Sequence, residues 1–188
     1  MRLPVRSGLA ALASVILVTS GQAQSGTGSE MGSGMENGKA SPACTATPEL
    51  PPELAAWPDR TALAAAADAS SLADARITIG KAVDARLRPT PEVRYALRPE
   101  KPGGSVSFGG LYALTVEQAG HYRIALGSAA WIDLVQEGKA LVSTAHGHGP
   151  DCTGIRKMVD FSLAPGRYLL QVSANAAPDM PLLVTRLP

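Results

Sequence analysis

From Ile77 onward, apolar residues alternate with polar ones in short runs between Gly/Pro turns. A period of two sends successive side chains to opposite faces, so each run predicts a half-buried strand. The runs are Ile77/Ile79, Val83/Ala85/Leu87, Val93/Tyr95/Leu97, Val106/Phe108, Tyr112/Leu114/Val116, Tyr122/Ile124/Leu126 and Ile132/Leu134, the last returning through Leu141-Val142. Val159/Phe161/Leu163, Tyr168/Leu170/Val172 and Leu182/Val184 complete the series. Gly138 in Gln136-Glu-Gly-Lys139 supplies the positive φ that a tight hairpin needs. About nine strands, with turns roughly every ten residues, predict an all-β domain: a β-sandwich or jelly roll.

Upstream the texture differs. Thr61–Ala75 is alanine-rich with a weak apolar pattern, and Asp59 stands where it could cap a helix. This predicts either one short N-terminal helix or an ordered coil lying on the sandwich. Pro48–Glu53 stiffens the approach, and Trp57 before Pro58 reads as a plug. Residues 44–188 therefore form the domain, with 44–76 as an extension packed on it. Residues 24–43 are rich in Gly and Ser with almost nothing to bury, which predicts a flexible linker. Arg2 and Arg6, the apolar run Gly8–Val18 and the small residues of Gly21-Gln-Ala23 predict a cleavable signal peptide over 1–23. A bilayer-spanning helix needs about 20 apolar residues, so no transmembrane anchor is expected. The destination is periplasmic or secreted.

Charge and composition narrow the partners. The formal net charge is +1 and falls slightly below zero once Arg2 and Arg6 are shed, and no long basic run exists. Nucleic acid is excluded on that ground. Aromatics are 4% of the chain, too few for a broad stacking platform. Cys44 and Cys152 are the two cysteines, and an even pair in an exported chain reads as a disulfide. Two free thiols or metal ligands are the alternative. A disulfide would tie the N-terminal extension to the loop His146–Lys157, where polar functional groups concentrate.

In that loop His146 and His148 are two apart, so in an extended chain both imidazoles share a face. With Asp151, or with His121 from another strand, they could approach a transition metal such as Fe, Zn or Cu. The bland alternative is a solvated loop with no cofactor. His146, His148, Arg156 and Lys157 also form a cationic cluster suited to a carboxylate or uronate, with Asp151 beside it. Arg94, Arg98 and Lys101, around Glu92 and Glu100, read as cross-strand ion pairing. Trp131 reads as an outward sugar platform or an aromatic packed under a loop. No Gly-x-Ser-x-Gly elbow occurs, and no local pairing joins Glu117, Asp133, Asp151 and Asp160.

Two segments share a pattern: Val116-Glu-Gln-Ala-Gly-His-Tyr122 and Leu163-Ala-Pro-Gly-Arg-Tyr168. Each is a strand end, a glycine turn, then a strand opening with Tyr. With the Asp133–Leu141 hairpin they resemble bacterial sandwiches of the pre-peptidase C-terminal and carbohydrate-binding-module style. That likeness implies fold and carries no function by itself. Arg94–Gly104, Ala145–Cys152 and Ile155–Lys157 are similar to short exported proteins of sphingomonad-type bacteria, some automatically named homogentisate 1,2-dioxygenase. The ring-cleaving enzyme of that name is a larger cytoplasmic protein holding non-haem iron with two His and a Glu. The resemblance thus implies a metal-dependent oxidoreductase as an alternative reading. The residues themselves favour a non-catalytic module that binds a small acidic or sugar-like ligand or an envelope protein. A purely structural envelope protein is the third reading, and the oligomeric state is not legible.

Overall fold

The computed structural model describes Cys44 and residues 48–188; the predicted signal peptide and the linker over 24–43 lie outside the described residues. Among the described residues the alternating runs become twelve strands in two sheets. Sheet A has the order β1 (Arg60–Ala64), β3 (Ala82–Arg86), β12 (Asp179–Arg186), β6 (Gly120–Leu126), β10 (Lys157–Leu163), β9 (Ala145–Gly147). Sheet B has the order β2 (Arg76–Ile77), β5 (Phe108–Val116), β11 (Gly166–Asn175), β7 (Trp131–Gln136), β8 (Lys139–Ala140), and β4 (Arg88–Pro89) also pairs with β5. The pairings β1–β3 and β2–β5 are parallel; the rest are antiparallel. The all-β sandwich expected from the alternation is the fold. Its strand count exceeds nine because pairings of two or three residues, such as β2, β4, β8 and β9, are too short to show a period.

The core lies between the sheets. Val83, Ile124, Leu126, Phe161 and Leu182 from sheet A meet Leu114, Leu134, Leu170 and Val172 from sheet B, all buried. Each such side chain stabilises the fold by roughly 1.5–3 kcal/mol on burial. The two Tyr-bearing segments are the crossovers β5 to β6 and β10 to β11. The Tyr122 hydroxyl donates to the Gln118 carbonyl at 2.7 Å, and the Tyr168 hydroxyl donates to the Ala164 carbonyl at 2.7 Å. Each tyrosine thus pins the backbone four residues before it, the tyrosine-corner device of sandwich folds. The arches lie side by side, since Gly166 is opposite Val116 and Leu163 is opposite Gly120.

Three expectations are corrected. Thr61–Ala75 is not a helix: its start lies in β1, and only Ala69–Asp74 makes a short 3-10 turn, capped by Asp68. The free edge of β3 offers β1 a full ladder, which outweighs alanine's modest helix propensity. Val93/Tyr95/Leu97 is not a strand but a coil on the outer face of sheet B. Buried Gln171 receives the Leu97 amide at 3.0 Å and donates to the Leu97 carbonyl at 3.2 Å, standing in for a strand partner. The charges of that segment are accordingly not cross-strand pairs. Val106 is 86% exposed, and Phe108 begins one long strand with Tyr112, Leu114 and Val116.

The N-terminal extension covers the outer face of sheet A. Leu54 and Trp57 pack on Ala82, Ala125, Ile155 and Leu183, so Trp57 is the plug that the sequence suggested. Beside them Arg123 makes a two-pronged pair with Asp160, both bonds 2.8 Å, and approaches Glu53 at 3.6 Å. The Asp160 carboxylate holds the Arg123 guanidinium above its ordinary range. Cys44 and Cys152 form the disulfide, closing a separation of 108 residues. The alternative of free thiols or cysteine metal ligands falls with it.

Candidate functional site

The hairpin Gln136–Lys139 turns with positive φ at both Glu137 and Gly138 and delivers the chain into β8. Residues 141–144 then cross from sheet B to sheet A, where β9 pairs with β10. The Leu141 amide donates to the Leu134 carbonyl and the Thr144 amide to the Asp160 carbonyl, one bond to each sheet. Leu141 packs partly against the core and lines the cleft, but Val142 turns outward, 89% exposed, and does not fill the gap. What remains is a cleft of ≈ 460 Å³ opening at this edge.

Its floor is Ile132, Val159 and Phe161, and its rim carries Glu100, Trp131, Asp133, Ser143, His146 and Lys157. Trp131 and Asp133 are two apart on β7 and share a face. The indole N–H donates to the Asp133 carboxylate at 3.0 Å, and Gln171 donates to its other oxygen at 3.5 Å. Two ammonium groups lie against the indole ring, Lys101 at 5.2 Å and Lys157 at 5.4 Å. Lys157 also donates to the Ala130 carbonyl at 3.0 Å. Burial, then the neighbouring Lys101 charge, lower the Lys157 pKa, with Asp133 working against them.

The structure divides the predicted site. His146 and Lys157 are in the cleft, because His146 sits opposite Val159 and Lys157 is two positions from it on the inward face of β10. Arg156 is the next residue along the extended chain and does not line the cleft. His148 is exposed, and its Nδ1–H donates to the Arg156 carbonyl at 2.9 Å. Asp151 is exposed on the turn beside Cys152. The four-cation cluster is thus two pairs, and only one faces the cleft.

His121 is opposite Ser162, three positions along β10 from the partner of His146, so it projects from the other face of sheet A. Among the described residues no three His, Cys, Asp or Glu groups are placed to hold one metal ion. The residues do not fit the three-imidazole arrangement. Asp133, Glu100 and Lys101 were outside the predicted site. The spacing of Trp131 and Asp133 on one strand face was the available signal, whereas Glu100 and Lys101 arrive through a coil with no periodicity.

No family model matches the chain, and no curated protein matches it. The fold and site define a disulfide-closed β-sandwich with a mixed-charge aromatic cleft at one edge.

Proposed function

We propose that the protein is an exported, non-catalytic module that binds a small acidic or sugar-like ligand in the cleft beside Trp131. The observation that carries this reading is one indole ring with two ammonium groups against it and two carboxylates, Asp133 and Glu100, within the same cleft region. A uronate matches those groups. Its carboxylate meets an ammonium, its hydroxyls donate to Asp133 or Glu100, and its C–H face lies on the indole. Lys101 is exposed and its flexible stem can turn off the ring to admit a ligand. Asp133 needs no such rearrangement, since Trp131 and Gln171 already orient it.

Tryptophan fluorescence tests the proposal. Trp57 is buried and donates to the Thr153 carbonyl at 2.9 Å, so a ligand-dependent signal reports Trp131. Galacturonate should quench the wild type, and Trp131→Phe should abolish the change. Lys157→Met should weaken binding roughly tenfold or more, the scale of one hydrogen bond to a charged group. A wild type indifferent to acidic and neutral sugars alike would sink the reading.

A further inference from the structure

We propose that Lys157 is a covalent docking amine, capturing an aldehyde-bearing sugar acid in the cleft as a reversible imine; this rests on the binding role of the cleft. The geometry is that of an amine held in place and partly withdrawn from water. Lys157 starts β10 on the strand's inward face, and the Ala130 carbonyl fixes Nζ at 3.0 Å. The indole of Trp131 lies to one side, and the apolar floor of Val159 and Phe161 lies below. A lysine gains nucleophilicity when it is desolvated or set beside another cation, because either change raises the share of free amine. Both conditions are met at Lys157, whose pKa is lowered first by burial and then by Lys101.

The charged and titratable groups around Lys157 come from three elements. Asp133 on β7 opposes the lowering, Glu100 and Lys101 come from the coil over sheet B, and His146 comes from β9. Trp131 and Gln171 anchor Asp133, so its negative charge is held in place beside the amine. The neutral Nζ attacks the aldehyde carbon, forming the N–C bond while a proton passes from nitrogen to the carbonyl oxygen. The second proton on nitrogen then passes to that hydroxyl, the C–O bond breaks to release water, and the nitrogen electron pair forms the C=N bond. Amine plus aldehyde give imine plus water, so no oxidant or reductant is consumed. The ligand's carboxylate is left for the second ammonium, Lys101. Among the described residues Lys81 and Lys139 are exposed, and neither lines this cleft.

The experiment treats the whole protein at pH 7 with glyoxylate and cyanoborohydride, followed by peptide mass mapping. Adduct on Lys157 should exceed that on Lys81, Lys101 or Lys139 by roughly threefold or more. Lys157→Arg keeps the charge and should lose this preferred site. Fluorescence titration with galacturonate and with methyl galacturonoside, which cannot open to an aldehyde, separates covalent from non-covalent binding. Equal binding of both, with adduct spread evenly over the lysines, overturns the imine and leaves the binding module standing. Selective adduct on Lys157 without a response to either sugar upholds the reactive amine and sinks the uronate reading. Even labelling with no sugar response sinks both.

Discussion

At one long edge of the sandwich the chain passes from β1 toward β5 through Ala65 and Ala66; at the other it passes from β8 to β9 through residues 141–144. Both crossings hydrogen-bond to each sheet. Ala65 donates to Arg86 of sheet A, and Ala66 exchanges two bonds with Leu111 of sheet B, each 3.0 Å. The residue sizes differ. Ala65 and Ala66 are 2% and 4% exposed, and Gly110 beneath them has no room for a Cβ, which would run into the Ala65 side chain. At the opposite edge the crossing residues Val142, Ser143 and Thr144 are exposed and leave the cleft. Around Ala65 and Ala66 small side chains let two backbones meet and close that crossing, whereas at residues 142–144 the side chains turn outward and leave the crossing open. The crossing that stays open is the one lined with ammonium, carboxylate and indole groups.

Removing the disulfide should have the largest effect and should act on the open edge. Cys152 lies on the turn that leads through Ile155 into β10, and its φ is +64°, a left-handed value unusual for a residue with a side chain. The double variant Cys44→Ser/Cys152→Ser should lose about 2–4 kcal/mol in urea unfolding. Hydrogen exchange should accelerate first over residues 148–157, with the amides of Ala65 and Ala66 still protected. Loss of protection at Ala65 first would reverse the assignment of sealed and open edges. Next in size is Gly110→Val, which forces a side chain against Ala65 and should cost about 2–3 kcal/mol with an unchanged denaturant slope. Val142→Ser at the open edge should move stability by less than about 0.5 kcal/mol. Equal losses from the two substitutions would break the comparison.

The contrast was partly legible in the chain. Long alternating runs announced β5, β6, β7, β10, β11 and β12, because burial of one face leaves a period that survives in the residues. The two Tyr-bearing turns were legible too, since glycine and tyrosine each answer a local geometric demand. The sealed edge was not. Ala65, Ala66 and Gly110 look like a helix fragment and a strand glycine, and their meaning appears only when two segments about 45 residues apart are brought together. The coil over Gln171 failed for a related reason: alternation in Val93/Tyr95/Leu97 reflects packing on a sheet face as readily as pairing at an edge. At the site, His146 and Lys157 were legible as cations in one loop. That they are on one side of the strands and Arg156 is not follows from register, which a glycine-rich loop does not disclose.

The smallest expected effect concerns the open edge alone. Lys157 is half-buried, and its pKa lies below the ordinary lysine value of 10.5 because of burial and Lys101. Between the native pKa and 10.5 the unfolded chain binds more protons than the folded one, so this group makes stability rise with pH across that window. Its contribution is full above 10.5 and is lost as pH falls through the native value. Lys157→Met removes the group, so the stability difference, wild type minus variant, should increase as the pH rises toward 10.5. The rise should be shallow, because Lys157 is only half-buried and water screens the charge. Lys139→Met, on the exposed hairpin, should give a difference that stays flat over the same range. Urea midpoints measured for the three proteins across that range decide the matter. A flat difference for Lys157→Met would mean that the cleft leaves its ammonium as well solvated as a surface lysine, and the two edges would then differ in shape alone.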